Sequence, residues 1–188
     1  MTLTEIIKNR RAVFPAQYNG KAIARETIQE LLEAANWAPT HKKTEPWRFK
    51  VLQGKALERL GTFLAATYKE GTPAEKFSDF KYNKLQNNPQ KAGAIIAICM
   101  QRDPKERLPE WEEVAAVAMA VQNIWLKTTD LGLGGYWSSP GLIKHMDRFF
   151  DFNEGERCLG FFYLGYTDDP IQEGARLPIT DKVVWIND

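Results

Sequence analysis

The sequence predicts one layered domain of α+β or α/β class. Three features carry that expectation. Helix-period and strand-period segments alternate in the order α–α–β–α–β–α–β–α–β across 188 residues. Residues 110–132, "EWEEVAAVAMAVQNIWLKTTDLG", are apolar nearly all round in their middle, the pattern of a helix enclosed by a core. "AGAIIAICM" (92–100) is a short unbroken apolar run, as in a strand buried on both faces.

The first helix begins at Thr2, which has capping-box spacing to Glu5, and runs to about Asn9–Arg11 on the repeat of Leu3, Ile6 and Ile7. The second spans about Arg25–Trp37. Its Ile28, Leu31, Leu32 and Ala35 share one face, and Pro39 stops it. Trp47, Phe49 and Val51 alternate with Arg48 and Lys50, the period of a half-buried strand. Leu57, Leu60, Phe63 and Leu64 mark a third helix. Residues 70–91 are polar and contain Gly71, Pro73 and Pro89, so a loose excursion with at most a helical turn is expected. The buried strand 92–100 follows, then the connector "RDPKERLP" and the long core helix. Gly132 and Gly134 suit that helix's end. "GGYW" is strand-like. Ser138 or Ser139 then caps a helix with Pro140 near its first position, whose buried face is Leu142, Ile143, Met146, Phe149 and Phe150. "CLGFFYLGY" (158–166) is the last core strand. The remainder is polar and Pro-rich, yet contains the apolar pentapeptide "KVVWI" (182–186), which needs a packing partner.

Composition narrows the function. Hydrophobic residues are 44% and charged residues 26%, with a net charge of +1 and no long run of one sign. That balance argues against a general nucleic-acid binder. Cys99 and Cys158 lie in no CxxC motif, which suits a reducing, cytoplasmic setting and suggests neither a disulfide framework nor a zinc site. "MTLTEIIKNRR" is too charged and too short in apolar length for a signal peptide or membrane span. The two histidines, His41 and His145, have no HxxxH spacing, so no metal is expected. The aromatic load of six Trp, six Tyr and ten Phe fills a core or lines a flat pocket or interface.

A few residues invite chemistry. Arg10 and Arg11 close the first helix. They either complement its dipole or form an anion clamp, since guanidinium forks match phosphate oxygens. His41 follows a helix stop, as a solvated loop residue or a ligand contact. "GLGGYWSSPG" is not GxGxxG and lacks a P-loop lysine. It is either a helix-to-strand turn or a place where backbone approaches a flat ligand.

In order along the chain, these pieces resemble the nitroreductase family of flavin mononucleotide (FMN) enzymes. "IIKNRRAV" is similar to the family's N-terminal helix ending in Arg-Arg-Ser. "AANWAPTHKKTEPWRFKVL" resembles its Ala-Pro…Gln-Pro-Trp-x-Phe segment. "AVAMAVQNIWLKTTDLGLGGYW" is similar to its buried helix and Gly-rich turn, and "LGFFYLGY" to its late strand. Short length and the histidine after Ala-Pro lean toward the compact branch. Ala12 stands where the family usually has Ser, and Glu45 where it has Gln.

The resemblance implies one nitroreductase-like domain over 1–188, with a mixed or antiparallel sheet flanked by helices, in an intertwined homodimer. The tail, about 167–188, would embrace the partner. Each FMN would sit between subunits. Arg10, Arg11 and the backbone of Ala12 would hold it from one chain, and Trp37, Thr40 and His41 from the other. Trp137, Ser138 and Ser139 would lie along its ring system. NADH or NADPH would reduce the flavin and an electron-poor acceptor, a nitroaromatic or quinone, would reoxidise it in ping-pong turnover. No side chain need act as acid or base. The alternative is a flavin-binding module without turnover. Larger members add a basic pair near the C-terminus for the phosphate. This tail has only Arg176 and Lys182 after Thr167, and no such contact is assigned to them.

Overall fold

A computed structural model describes residues 1–169 and 172–187. Helix α1 (Leu3–Asn9) opens with a complete capping box. The Thr2 hydroxyl accepts the Glu5 N–H at 3.3 Å, and the Glu5 carboxylate accepts the Thr2 N–H at 2.7 Å. Its apolar side is not buried: Leu3 and Ile7 are exposed. Helix α2 (Arg25–Asn36) buries Ile28, Leu31 and Ala35, as its spacing requires. Strand β1 (Trp47–Leu52) turns Trp47 and Phe49 inward. Val51 departs from the expected alternation and is exposed, because β1 is an edge strand with a neighbour on one side only.

Helix α3 (Lys55–Glu70) is followed by a feature the sequence hides. Residues 79–91 form α4 (Asp79–Lys91), where a loose excursion was expected. Its composition is polar, and Pro89 lies in its last turn, so neither apolar periodicity nor propensity announces it. Ser78 caps it, accepting the Lys81 N–H at 3.3 Å. Close packing on α3 then stabilises it: a Cβ on Gly61 would collide with the Gln86 carbonyl.

Strand β2 (Ala94–Gln101) is buried over all but its last residue. Helix α5 (Glu110–Asp130) is long, as expected, and ends on Gly132 in the left-handed region at φ +71°. It is not enclosed all round. Ala116, Val117, Ala120, Val121 and Ile124 are buried, whereas Trp111, Ala118, Met119 and Gln122 share the opposite, exposed face. Strand β3 (Gly134–Ser138) runs through Ser138, so Ser138 caps nothing. The next element is a 3-10 helix (Gly141–Arg148) with Pro140 at its N-cap and no side-chain cap. It buries Met146 and half-buries Leu142, Ile143, Phe149 and Phe150, the face the spacing indicated. Strand β4 (Glu156–Gly165) completes the sheet.

The sheet is antiparallel, in the order β1-β2-β4-β3. One core lies between the sheet and α2 with α5. It is built on Ile96, Ile98, Met100, Phe162 and Leu164. The other lies under α3, α4 and the 3-10 helix, on Ile95, Ala97, Cys99, Phe161 and Tyr163. This is an α+β fold of three layers. In the tail, Val183 to Ile186 are exposed, with Trp185 at 82%. Among the described residues, no helix is long and apolar enough to cross a membrane.

Candidate functional site

The arginine doublet is placed by a short stretch of extended chain after α1. Ala12 makes a parallel bridge to Gly135, and the Val13 N–H donates to the Gly135 carbonyl at 3.1 Å. The Trp125 indole N–H donates to the Arg11 carbonyl at 3.0 Å, fastening the doublet to α5. Gly134 and Gly135 permit this contact. A Cβ on the first would meet Val13 Cγ1 at 2.7 Å, and on the second Phe162 at 2.8 Å. The two glycines therefore admit the protein's own chain, and the helix-to-strand reading of this turn is the one the packing supports.

Arg10, Arg11 and Arg176 line one cleft of about 780 Å³ with Ile7, Gln122 and Trp125. The Arg10 guanidinium lies 4.4 Å over the Trp125 ring, a cation–π contact. Arg11 Nη1 donates to the Arg10 carbonyl at 2.7 Å, while its Nε is buried without a partner. A Cβ on Gly174 would collide with the Arg11 guanidinium, so the tail crosses that side chain closely. Among the described residues, no carboxylate forms an ion pair with any of the three guanidiniums, although Glu173 also borders the cleft. Burial pushes the Arg10 pKa down, and the charges of Arg176 and Arg11 add to that shift. Among the described residues, three cations thus converge with no carboxylate ion-paired to them.

The second cluster is the connector after α2. Trp47 is buried, and its indole N–H donates to Asn36 at 3.2 Å, anchoring the connector's end. Thr40 accepts the Glu45 N–H at 3.1 Å and pairs with Thr44 at 3.2 Å. Lys42, Lys43 and Glu45 all hold positive φ, at 51°, 54° and 42°. Such backbone persists only where the surroundings over-determine it. Lys42 reaches the Arg107 carbonyl at 3.0 Å, and His41 Nδ1 lies 2.7 Å from the Glu112 carboxylate on α5. Trp37 projects into solvent, 80% exposed, its N–H on Glu33 at 3.0 Å.

The third group divides. The Trp137 indole lies on the α5 face of the sheet, half-buried, with its Nε1 lacking a partner. Ser138 alternates to the other face, the side of Tyr136, and Ser139 is exposed beyond the strand. The Ser138 hydroxyl therefore does not share a surface with the indole.

One chain does not bring the clusters together. His41 meets α5 at Glu112, and Arg10 meets it at Trp125. Thirteen helical residues separate those points, about 20 Å at ~1.5 Å per residue. Arg176 and Glu112 were not singled out from sequence. Arg176 had one signal, as one of two cations in an otherwise acidic tail. Glu112 had none, because it pairs across 71 residues.

The three-layer antiparallel fold carries a cationic cleft beside α5. The nitroreductase family profile matches residues 7–166, and the chain belongs to that family. It is 30% identical over 188 aligned positions to YfhC of Bacillus subtilis (strain 168), provisionally named an NAD(P)H nitroreductase, covering 96% of this chain and 92% of that one. A crystal structure of a nitroreductase-like family protein from Bacillus cereus superposes with a TM-score of 0.83 at 28% identity, over 100% of this chain and 97% of that one. The FMN-dependent nitroreductase NfnB from Mycobacterium smegmatis, solved with NADPH, shares the fold with a TM-score of 0.78 at 16% identity over 98% of each chain.

Proposed function

We propose that this nitroreductase-family oxidoreductase holds FMN between two copies of the chain and uses NADH or NADPH to reduce electron-poor aromatics such as nitroaromatics or quinones. The observation that carries this is the arginine cleft. Three guanidiniums held together, one with a buried unpartnered Nε, suit a dianionic phosphate. The residues present fit the group. Arg10, Arg11 and Arg176 would hold its phosphate end, and Trp137 offers a free indole N–H further along the same sheet face.

Ala12 would contribute backbone only. Ser138 and Ser139 would reach the ligand at the strand end, Ser138 from the face opposite the indole. His41 meets α5 about 20 Å from the point where Arg10 meets it, so the His41 loop would serve the same ligand only from a second chain. The exposed apolar face of α5, the unburied side of α1 and the tail's Val184, Trp185 and Ile186 supply the surface such a dimer needs.

When bound, FMN would supply the electron transfer, accepting reducing equivalents from the nicotinamide and passing them to the acceptor in alternate half-reactions at one face. The chain's own part is to bind and orient. The guanidiniums fix the phosphate end and bias the cleft toward anions. The braced His41 loop closes the site from the partner without a large ordering cost. No side chain of the cleft is arranged as an acid–base pair, so protons would come from solvent. The two free, buried cysteines suit a cytoplasmic setting.

The test is the visible spectrum of the purified protein, followed by anaerobic addition of NADH or NADPH. The expected result is a flavin spectrum that bleaches with reductant and returns with a quinone, and parallel double-reciprocal lines at steady state. A yellow protein that does not bleach is a flavin-binding module instead. A colourless protein that takes up no FMN overturns the proposal.

A further inference from the structure

We propose that Glu112 is the positioning residue for His41, accepting a hydrogen bond from Nδ1–H so that Nε2 is the ring atom presented to the ligand of the neighbouring chain. The inference rests on the flavin reading for what His41 faces, but its structural half stands on this chain alone. His41 is the more exposed member of the pair, 59% against 25% for the Glu112 side chain. The carboxylate therefore sits beneath the imidazole and the ring's other edge points outward. The contact is 2.7 Å, the length of a charge-assisted hydrogen bond. A carboxylate can only accept, so Nδ1 must carry the hydrogen. Which ring nitrogen is protonated is set by the bond the other one makes, and here that bond is intramolecular.

The surroundings show why a tether is needed. The loop's backbone holds three non-glycine residues at positive φ, and its other ties are Lys42 to the Arg107 carbonyl, Thr40 to the Glu45 N–H and to Thr44, Thr44 to the His41 carbonyl, and Arg48 to the Glu45 carbonyl. None of these fixes the imidazole ring. Glu112 is itself well placed to do so. It lies in the first turn of α5, where its charge is favoured by the helix dipole. Next to it, Glu113 is fully buried on Arg102 and on the Asp103 N–H, which fixes the helix start against the 102–109 connector. Lys42 rests on that same connector. The tether thus joins the loop to the end of α5 that Glu113 fixes to the connector.

The experiment uses the full chain as purified and again after FMN removal, with ¹⁵N-labelled histidine. His145 is the chain's other histidine and serves as internal reference. Long-range ¹H–¹⁵N correlation reads the neutral tautomer directly. Wild type should carry its His41 proton on Nδ1. Glu112→Ala should move it to Nε2, whereas Glu112→Gln, whose amide oxygen still accepts, should retain it on Nδ1. FMN affinity should fall ~10-fold in Glu112→Ala and under ~3-fold in Glu112→Gln, as for outer-shell partners that orient a ligand group. His41→Ala combined with Glu112→Ala should weaken FMN no more than His41→Ala alone. An Nε2-protonated ring in wild type, an unchanged tautomer in Glu112→Ala, or full additivity in the double variant overturns the proposal. Wild-type protein that binds no FMN removes the flavin reading, and the tautomer then decides the Glu112–His41 pairing by itself.

Discussion

The arginine cleft and the His41 loop are built on opposite plans. In the cleft, three cations stand together with no paired carboxylate among the described residues, and one guanidinium nitrogen is buried without a partner. In the loop, almost every polar group is answered within the chain, from Thr40 on the Glu45 N–H to Lys42 on the Arg107 carbonyl and His41 on Glu112. A cleft that concentrates like charge gains by taking up an anion. A loop whose own bonds are closed gains nothing internally from a ligand, but offers one edge of a ring at little entropic cost. On the proposed reading, the first region would bind the ligand and the second would wall it in. About 20 Å of helix lies between them, so that reading requires a second chain.

The contrast can be broken at its strongest point first. Arg10→Ala with Arg11→Ala removes two charge-assisted contacts of roughly 1.5–3 kcal/mol each. FMN affinity, followed by quenching of flavin fluorescence, should drop at least ~100-fold, while the His41 tautomer stays as it was. Retention of tight flavin would show that the cleft is not the phosphate site.

Ala118→Glu places a charge on the exposed face of α5, beside Met119. Sedimentation should convert dimer to monomer, with a dissociation constant raised on the order of 100-fold, since a buried unpaired carboxylate costs several kcal/mol. Flavin should leave with the dimer. A monomer that still binds FMN normally would mean that one chain holds the whole site.

Arg176→Ala sharpens the picture of the cleft. Among the described residues its one hydrogen bond is to its neighbour's carbonyl at 2.7 Å, so the flavin-free fold should keep its melting temperature, or gain slightly from relieved repulsion. FMN should bind ~10-fold more weakly. A clear loss of flavin-free stability would mark Arg176 as a structural residue.

The smallest effect concerns the loop's support. Arg107 holds the Asp103 carboxyl down to about 2, with Nε at 2.7 Å and backbone N–H groups assisting. A depressed carboxylate stabilises the fold fully above its unfolded pKa, ~3.9, and loses that contribution as pH falls through about 2. Acid titration of Asp103→Asn, followed by circular dichroism, should therefore show a shallower loss of stability between those values than wild type. Identical acid curves would remove the connector from the account.

Much of this was legible in sequence because it depends on local pattern. The capping box of Thr2 and Glu5, the stop before Pro39, the buried run 94–100 and Gly132 at the end of α5 all express constraints on neighbouring residues. Helix α4 was not legible, since Asp79–Lys91 is polar and carries Pro89. Its stability comes from α3, through Gly61 against Gln86. The face division of Trp137 and Ser138 was missed for a simpler reason: both flank a ligand-like turn in sequence, yet strand geometry sends adjacent side chains apart.

Taken by itself, the sequence determined the order of the elements apart from α4, the strand buried on both faces and the arginine doublet at a helix end. Each follows from periodicity, capping or charge within about a turn of chain. Tertiary structure alone decided that Arg176 joins that doublet, that Glu112 meets His41, and that one side of α5 stays uncovered. Those are encounters between residues far apart in the chain. Nothing in a one-dimensional pattern encodes a distance that only the packed sheet sets.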